Sequence, residues 1–269
     1  MIPVRWHRVF IVFFGISVLL ASADMGLHAL GISGLPLVVG TGLIAGVVVF
    51  VAAIEGGVLL RFCAKGLVAQ RYISSMTKDL MASVGCGNLG IRVSPMDSDA
   101  IFAVTVSEGR FSRTFISRGL LVKFSQSGVL GVAAHECGHV IGGHTKRLAA
   151  LLGLLSAVKF SVDVPFFAAL AVLFAFLWLL RQWEYEADAR AVNLVGSKAL
   201  ITAFEDYEKA TGKSEASNIA LSLSDDSPRG RSWISVWLDS FLELFMGHPR
   251  IEHRVERIVN GNGCGQNSE

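Results

Sequence analysis

His135-Glu136-Cys137-Gly138-His139 reads HExxH, and the fold can be built outward from it. Two imidazoles four residues apart lie on one face of an α-helix, close enough to share one zinc ion. The glutamate between them is placed to take a proton from a water at that ion, as a general base. The flanks agree with a helix: residues 129–134 are apolar, and no proline interrupts residues 129–159. The competing reading is a helix with two ordinary histidines. Cys137 points about 100° away from each adjacent side chain and reads as a small buried helix residue.

Composition places this helix in a membrane protein. The chain is 52% hydrophobic and 17% charged, against roughly 25% charged in a typical soluble domain. A net charge of +2 without basic-aromatic runs excludes nucleic acid as a partner. The four cysteines, Cys63, Cys86, Cys137 and Cys264, form no CxxC pair and read as free thiols in a reducing compartment.

Between residues 9 and 54 the only ionisable side chains are Asp24 and His28. Residues 35–54 carry no charge and would reach about 30 Å as a helix, enough to span a bilayer core. A first span over residues 9–23 has to continue through Asp24. A cleaved signal peptide competes with it, with Arg5 and Arg8 as the positive region and Ala21-Ser22-Ala23 as an A-x-A site. Two consecutive spans are preferred, because apolar character resumes after a brief Gly-rich turn. Arg5 and Arg8 precede the pair and Arg61, Lys65, Arg71 and Lys78 follow it, while the connection at residues 24–34 has no Lys or Arg. The positive-inside rule then puts both flanks, and the HExxH helix, in the cytoplasm.

Residues 64–126 read as mixed: a helix over residues 64–81, a Gly-rich turn, and strand-like residues 101–107 and 114–117 around a Glu108-Gly109-Arg110 turn. A helix begins near residues 120–124, and Ser125-Gln126-Ser127-Gly128 offers a cap for the HExxH helix. Residues 148–158 and 164–180 are apolar all round, separated by a polar break at residues 159–163. Such helices are buried in protein or in lipid, and lipid is preferred because the soluble remainder is too small to bury them. Residues 214–231 read as a polar loop. Residues 233–246 form either an interfacial amphipathic helix or a core-packing one.

A catalytic zinc needs three protein ligands, and the hairpin supplies the third by geometry. The midpoint between His139 and Glu184 falls at Ser161-Val162, on the polar break, so the returning arm delivers Glu184 to the level of His139. Asp188 follows one turn later on the same face, where a carboxylate accepts the N–H of a ligand imidazole. Glu186 points elsewhere and is expected in solvent. His144 lies about 180° from the metal face of a continuous helix and is not expected as a ligand.

These pieces resemble the HtpX-type and type 1 CAAX prenyl protease family of integral-membrane zinc metallopeptidases. The likeness runs from about Asp99 to Ile258. It rests on Ile116-Ser117-Arg118-Gly119-Leu120-Leu121 before the helix, HECGHVIGGHT at residues 135–145, EYEADA at residues 184–189, and His248-Pro249 followed by Arg254. The hairpin is shorter than in HtpX, and Asp99-Ala100-Ile101-Phe102-Ala103 departs from the family's Asn-Ala-Phe-Ala pattern. The resemblance implies a mainly α fold with a small β-sheet, a multi-pass membrane protein carrying a gluzincin-like zinc metallopeptidase domain. It divides the chain into a two-helix anchor, residues 1–62, and a peptidase domain, residues 63–269, with the hydrophobic hairpin at about residues 148–181.

One Zn(2+) per chain is implied, held by His135, His139 and Glu184, with Glu136 as base and Asp188 behind the ligands. His248 and Arg254 are implied near the scissile carbonyl, where either can steady the oxyanion; read without the family, they are a cap and a surface charge. Ile101, Phe102, Ala103 and Val104 would pair with an extended substrate along a strand edge. The expected function is endoproteolysis of unfolded or membrane-anchored polypeptides at a cytoplasm-facing site in a lipid bilayer, the inner or plasma membrane in a bacterium. CAAX prenyl-protein cleavage is the alternative within the family, and a non-catalytic membrane scaffold the alternative outside it.

Overall fold

The computed structural model describes residues 6–33, 35–63, 80–161, 165–212 and 249–263. The expected loop at residues 214–231, the helix at 233–246, His248, Cys264 and nearly all of the helix expected at 64–81 lie outside the described residues.

The N-terminal apolar sequence forms α1 (Trp6–Ala29) and α2 (Leu35–Ile54). The backbone then bends by 69° into α3 (Gly56–Cys63). Among the described residues one helix, α7 (Phe166–Val195), is by itself long and apolar enough to cross a bilayer; α2 with α3 makes a second only as one bent span. Phe167 and Trp178 stand exposed on α7, as lipid-facing side chains would.

Two helices stand where the sequence reading expected a hairpin, but each packs on partners of its own. α6 (His144–Ser161) packs along α2, whereas α7 packs on α5 (Gln126–Ile141) and α8 (Ser197–Thr211). The cause is a seam of small residues. A Cβ added to Gly46 would stand 2.7 Å from the Cβ of Ala157 and 2.8 Å from the carbonyl oxygen of Gly153, and one on Gly153 would stand 2.9 Å from Phe50 Cβ. Gly42 meets Ser161 in the same way. Small residues let two helix backbones approach closely, and van der Waals packing along the seam then holds the pair. The apolar arms are therefore separate helices with separate neighbours.

The sheet has the order β1-β3-β2, with β1 (Ile91–Met96) parallel and β2 (Ala103–Glu108) antiparallel to β3 (Phe111–Ser117). The β2–β3 turn is where the sequence put it, and β2 begins two residues later than expected. β1 went unread because its pairing is non-local and Pro95, tolerated on an edge strand, breaks the strand pattern. Arg113 ties the three strands together: it donates to both oxygens of Glu108 at 2.6 and 3.0 Å and to Ser94 at 2.7 Å. Burial works against the Glu108 carboxylate, but the Arg113 hydrogen bonds and the Arg113, Arg92 and Arg61 charges outweigh it and hold its pKa below the ordinary value. The turn also ties the sheet to α2, since Gly109 donates its N–H to Ile54 at 3.0 Å.

α5 runs through the centre. Ala133, Ala134 and Cys137 are fully buried against Ala191 of α7, Leu200 and Phe204 of α8, and Val255 and Ile258 of α9 (Ile251–Gly263). The short α4 (Arg118–Lys123), capped by Ser117, links β3 to α5.

Candidate metal centre

Ser125 starts α5: its Oγ accepts the N–H of Gly128 at 3.1 Å, as its place before the apolar run predicts. The same hydroxyl and the Ser125 N–H donate to Asp206 of α8, at 2.6 and 2.8 Å. The cap thus fixes the helix in register against α8 as well as starting it.

One turn apart on α5, His135 and His139 turn their Nε2 atoms to within 3.1 Å of each other. Glu184 reaches them from α7, with Oε2 3.5 Å from His135 Nε2 and Oε1 3.4 Å from His139 Nε2. Gly138 permits this approach. A Cβ there would lie 2.5 Å from the carbonyl oxygen of Ala187 and 2.9 Å from its Cα, so the two backbones touch beside the ligands. Cys137 is the buried spacer expected; burial raises its thiol pKa and keeps it a poor nucleophile.

Asp188 lies behind His135, with Oδ1 2.8 Å from Nδ1. Arg254 of α9 forks onto the same carboxylate, Nε to Oδ2 at 2.7 Å and Nη2 to Oδ1 at 2.6 Å, and places Nη1 3.8 Å from Glu184. Arg254 is thus buried beside the candidate ligands and is not the surface charge that the residues read without the family suggested. Two of its nitrogens clamp Asp188, leaving Nη1 nearest the ligand carboxylate. Burial opposes the Arg254 charge, but the Asp188 hydrogen bonds and charge, then Glu184, outweigh it and raise its pKa. Burial likewise disfavours a charged His135, yet the hydrogen bonds to Asp188 and Glu184 lift its pKa to about 9. The negative charge that would draw a proton to that imidazole also draws a cation to its Nε2.

The donor set fits zinc. Bonds of about 2.0–2.2 Å in a tetrahedron place ligand atoms about 3.3–3.6 Å apart. The three separations here, 3.1, 3.4 and 3.5 Å, lie around that edge length. No other group of three or more His, Cys, Asp or Glu side chains among the described residues is disposed to hold a metal.

Residues 68–261 match the sequence profile described as Peptidase family M48. The chain belongs to peptidase family M48. Its relatives include Protease HtpX of Yersinia enterocolitica, 23% identical, and Protease HtpX of Haemophilus influenzae, 27% identical. Each alignment covers 54% of this chain and 58% of the relative, so the M48 chain spans little more than half the length of the curated relatives it matches. The crystal structure of S. mikatae Ste24p superposes with a TM-score of 0.62 at 14% identity, over 94% of this chain and 64% of that one, which establishes a common fold.

A cleft of about 400 Å³ opens beside the candidate ligands of the M48 chain. Glu136, His135, Glu184 and Arg254 form its polar end, and Leu120, Phe124, Val132, Leu200 and Phe204 are among its apolar walls. Ile101, Phe102 and Ala103 line it, whereas Val104 does not and packs with Met96 and Phe115 under the sheet. Phe102 turns its main chain inward, its N–H donating to Ser117 Oγ at 3.1 Å and its carbonyl accepting from Ser117 N–H at 3.0 Å. Successive strand residues alternate in direction, so Ala103 presents its N–H and C=O to the open edge.

Two expectations for the far side of the site are corrected. Glu186 is not solvated alone: it takes His144 Nε2 at 2.9 Å and Arg190 at 2.6 Å. His144 lies outside the candidate donor group, but not on the opposite face of α5: its Nδ1 is 3.0 Å from Nδ1 of His139, behind the donor nitrogen. The angular argument assumed one continuous helix, but α5 ends at Ile141 and the chain turns through Gly142 and Gly143, the latter at φ +64°. The Gly-Gly dipeptide was the available signal, since a helix commonly stops at such a glycine.

Proposed function

We propose that this M48 chain is a membrane-anchored, zinc-dependent endopeptidase that cuts extended segments of unfolded or membrane-attached polypeptides. The convergence of His135, His139 and Glu184 beside Glu136, at the polar end of an apolar cleft, carries this reading. His135, His139 and Glu184 would hold one zinc ion, which when bound would supply Lewis acidity toward the scissile carbonyl and the attacking water. Glu136 removes the proton from the attacking water and returns it to the leaving amine. Asp188 holds His135 in the tautomer that leaves Nε2 bare, and Arg254 fixes Asp188. Arg254 Nη1 and His248 are the cationic and hydrogen-bonding groups assigned to the developing oxyanion.

Substrate lies along β2, pairing with the outward main chain of Ala103, so recognition reads backbone more than side chains. Ile101 and Phe102 contribute side chains to the same wall. The apolar walls around Phe124 and Leu200 favour an apolar residue next to the cut. Residues 1–62 serve as anchor and residues 63–269 as the peptidase domain, multi-pass and facing the cytoplasm. The basic residues flanking the N-terminal pair support that orientation.

The test is Glu136→Gln in the full-length chain. Zinc content should stay at one per chain while hydrolysis of an unfolded membrane protein falls by roughly 10²–10⁴-fold, the usual worth of a general base. Full proteolysis by this variant removes the proposal. Efficient cleavage of a prenylated C-terminal tetrapeptide, with no action on unfolded membrane proteins, redirects it to CAAX processing.

A further inference from the structure

Each histidine of the candidate centre has a second ring nitrogen, and each is held differently. His135 Nδ1 meets Asp188, an arrangement legible in the ExxAD spacing. His139 Nδ1 meets the ring of His144, 3.0 Å away. His144 is buried, stacks on Trp183 with centroids 5.6 Å apart and planes 9° apart, and faces Glu186 Oε2 through its Nε2 at 2.9 Å. Arg190 holds the other Glu186 oxygen at 2.6 Å.

The protons in this row are fixed by elimination. An ionised carboxylate only accepts, so the 2.9 Å contact with Glu186 requires the proton on His144 Nε2. A second N–H proton, on Nδ1, is disfavoured by burial and by the Arg190 charge, whose Nη1 lies 3.5 Å from Nε2. His144 Nδ1 is then a bare acceptor. His139 must donate to it from Nδ1, and the lone pair of His139 Nε2 is left facing Glu184 and His135.

We infer that His144 is a positioning residue which sets the tautomer and ring orientation of His139 for metal ligation, with Glu186 and Arg190 setting the tautomer of His144. The inference rests on the zinc reading proposed above. The Gly142-Gly143 turn is built for it: Gly143 adopts a left-handed φ, and a Cβ on Gly142 would collide with His144 Nε2 and Arg190 Nη1. Without that turn α5 would carry residue 144 around to its opposite face.

Zinc affinity is measured by chelator competition on the full-length protein in micelles, together with the visible spectrum of the cobalt(II)-substituted protein. His144→Phe keeps a flat ring against Trp183 and removes the acceptor. It should lose roughly 10–100-fold in zinc affinity and alter the cobalt bands. His144→Asn returns an acceptor oxygen near the Nδ1 position and should recover affinity to within a few-fold. Glu186→Met, at a half-exposed position that tolerates change, frees the His144 tautomer and should lower affinity about 3–10-fold; it serves where His144→Phe does not fold. Unchanged affinity and cobalt bands in a folded His144→Phe, or unchanged affinity in Glu186→Met, overturn the inference while a wild-type chain binding one zinc leaves the proposed function standing. A wild-type chain that takes up no zinc overturns both.

Discussion

Gly138→Ala adds one methyl group next to a candidate ligand, and the structure sets its cost. The new Cβ would lie 2.5 Å from the Ala187 carbonyl oxygen and 2.9 Å from Ala187 Cα, both main-chain atoms that no rotamer change can move aside. Restoring ordinary contact requires α5 and α7 to separate by about 0.5–0.9 Å. His139 and Glu184 sit on those two helices 3.4 Å apart, so their separation would grow to about 4 Å. Metal sites tolerate only about ±0.2 Å in ligand distance. The variant should therefore bind zinc roughly 10–100-fold more weakly, the order seen when a supporting contact is lost. It should also unfold more easily by about 1–3 kcal/mol, as overpacked interfaces do. The intrinsic helix preference of alanine over glycine acts the other way by about 1 kcal/mol, so a net loss of stability isolates the collision. Chelator competition gives the affinity, and thermal unfolding with and without zinc gives the stability. Wild-type affinity and an unfolding midpoint at or above wild type would show that the α5–α7 approach does not set the ligand geometry.

Asp188→Ala removes the acceptor for His135 and leaves Arg254 buried without its carboxylate; zinc affinity should fall about 10–100-fold, and unchanged affinity would show that the clamp does not govern the site. Gly46→Leu forces a side chain into the backbone of Gly153 and Ala157 and should destabilise the α2–α6 pair by roughly 1–3 kcal/mol, read as a lower unfolding midpoint in micelles. An unaltered midpoint there would remove the small-residue seam as the cause of that pairing.

Much of the centre was legible because its parts obey short-range rules. Helix periodicity puts His135 and His139 on one face whatever surrounds them, and puts Asp188 one turn beyond Glu184. Ser125 announces the start of α5 by the same local chemistry. Glu184 required a longer argument, a reversal at the polar break, and it does arrive beside His139. The two arms of that reversal have their main contacts elsewhere and not with each other, because hydrophobicity says that a helix is apolar and not which apolar helix it meets. That choice was made by glycines: Gly42, Gly46 and Gly153 let α2 and α6 close to backbone contact.

The sequence by itself determined the chemistry of the candidate donors and the facing of His135 and His139, since residue type and the 3.6-residue turn are properties of the chain. Only the tertiary structure decided what stands behind those donors. β1 exists through parallel pairing with a strand that comes later in the chain. Arg254 reaches Asp188 across 66 residues of sequence. His144 returns to His139 because two glycines break the helix, and Glu186 and Arg190 meet it from another helix altogether. Each of these contacts depends on the relative placement of separate elements, and that placement is set by backbone shape and small-residue packing, which composition and periodicity do not encode.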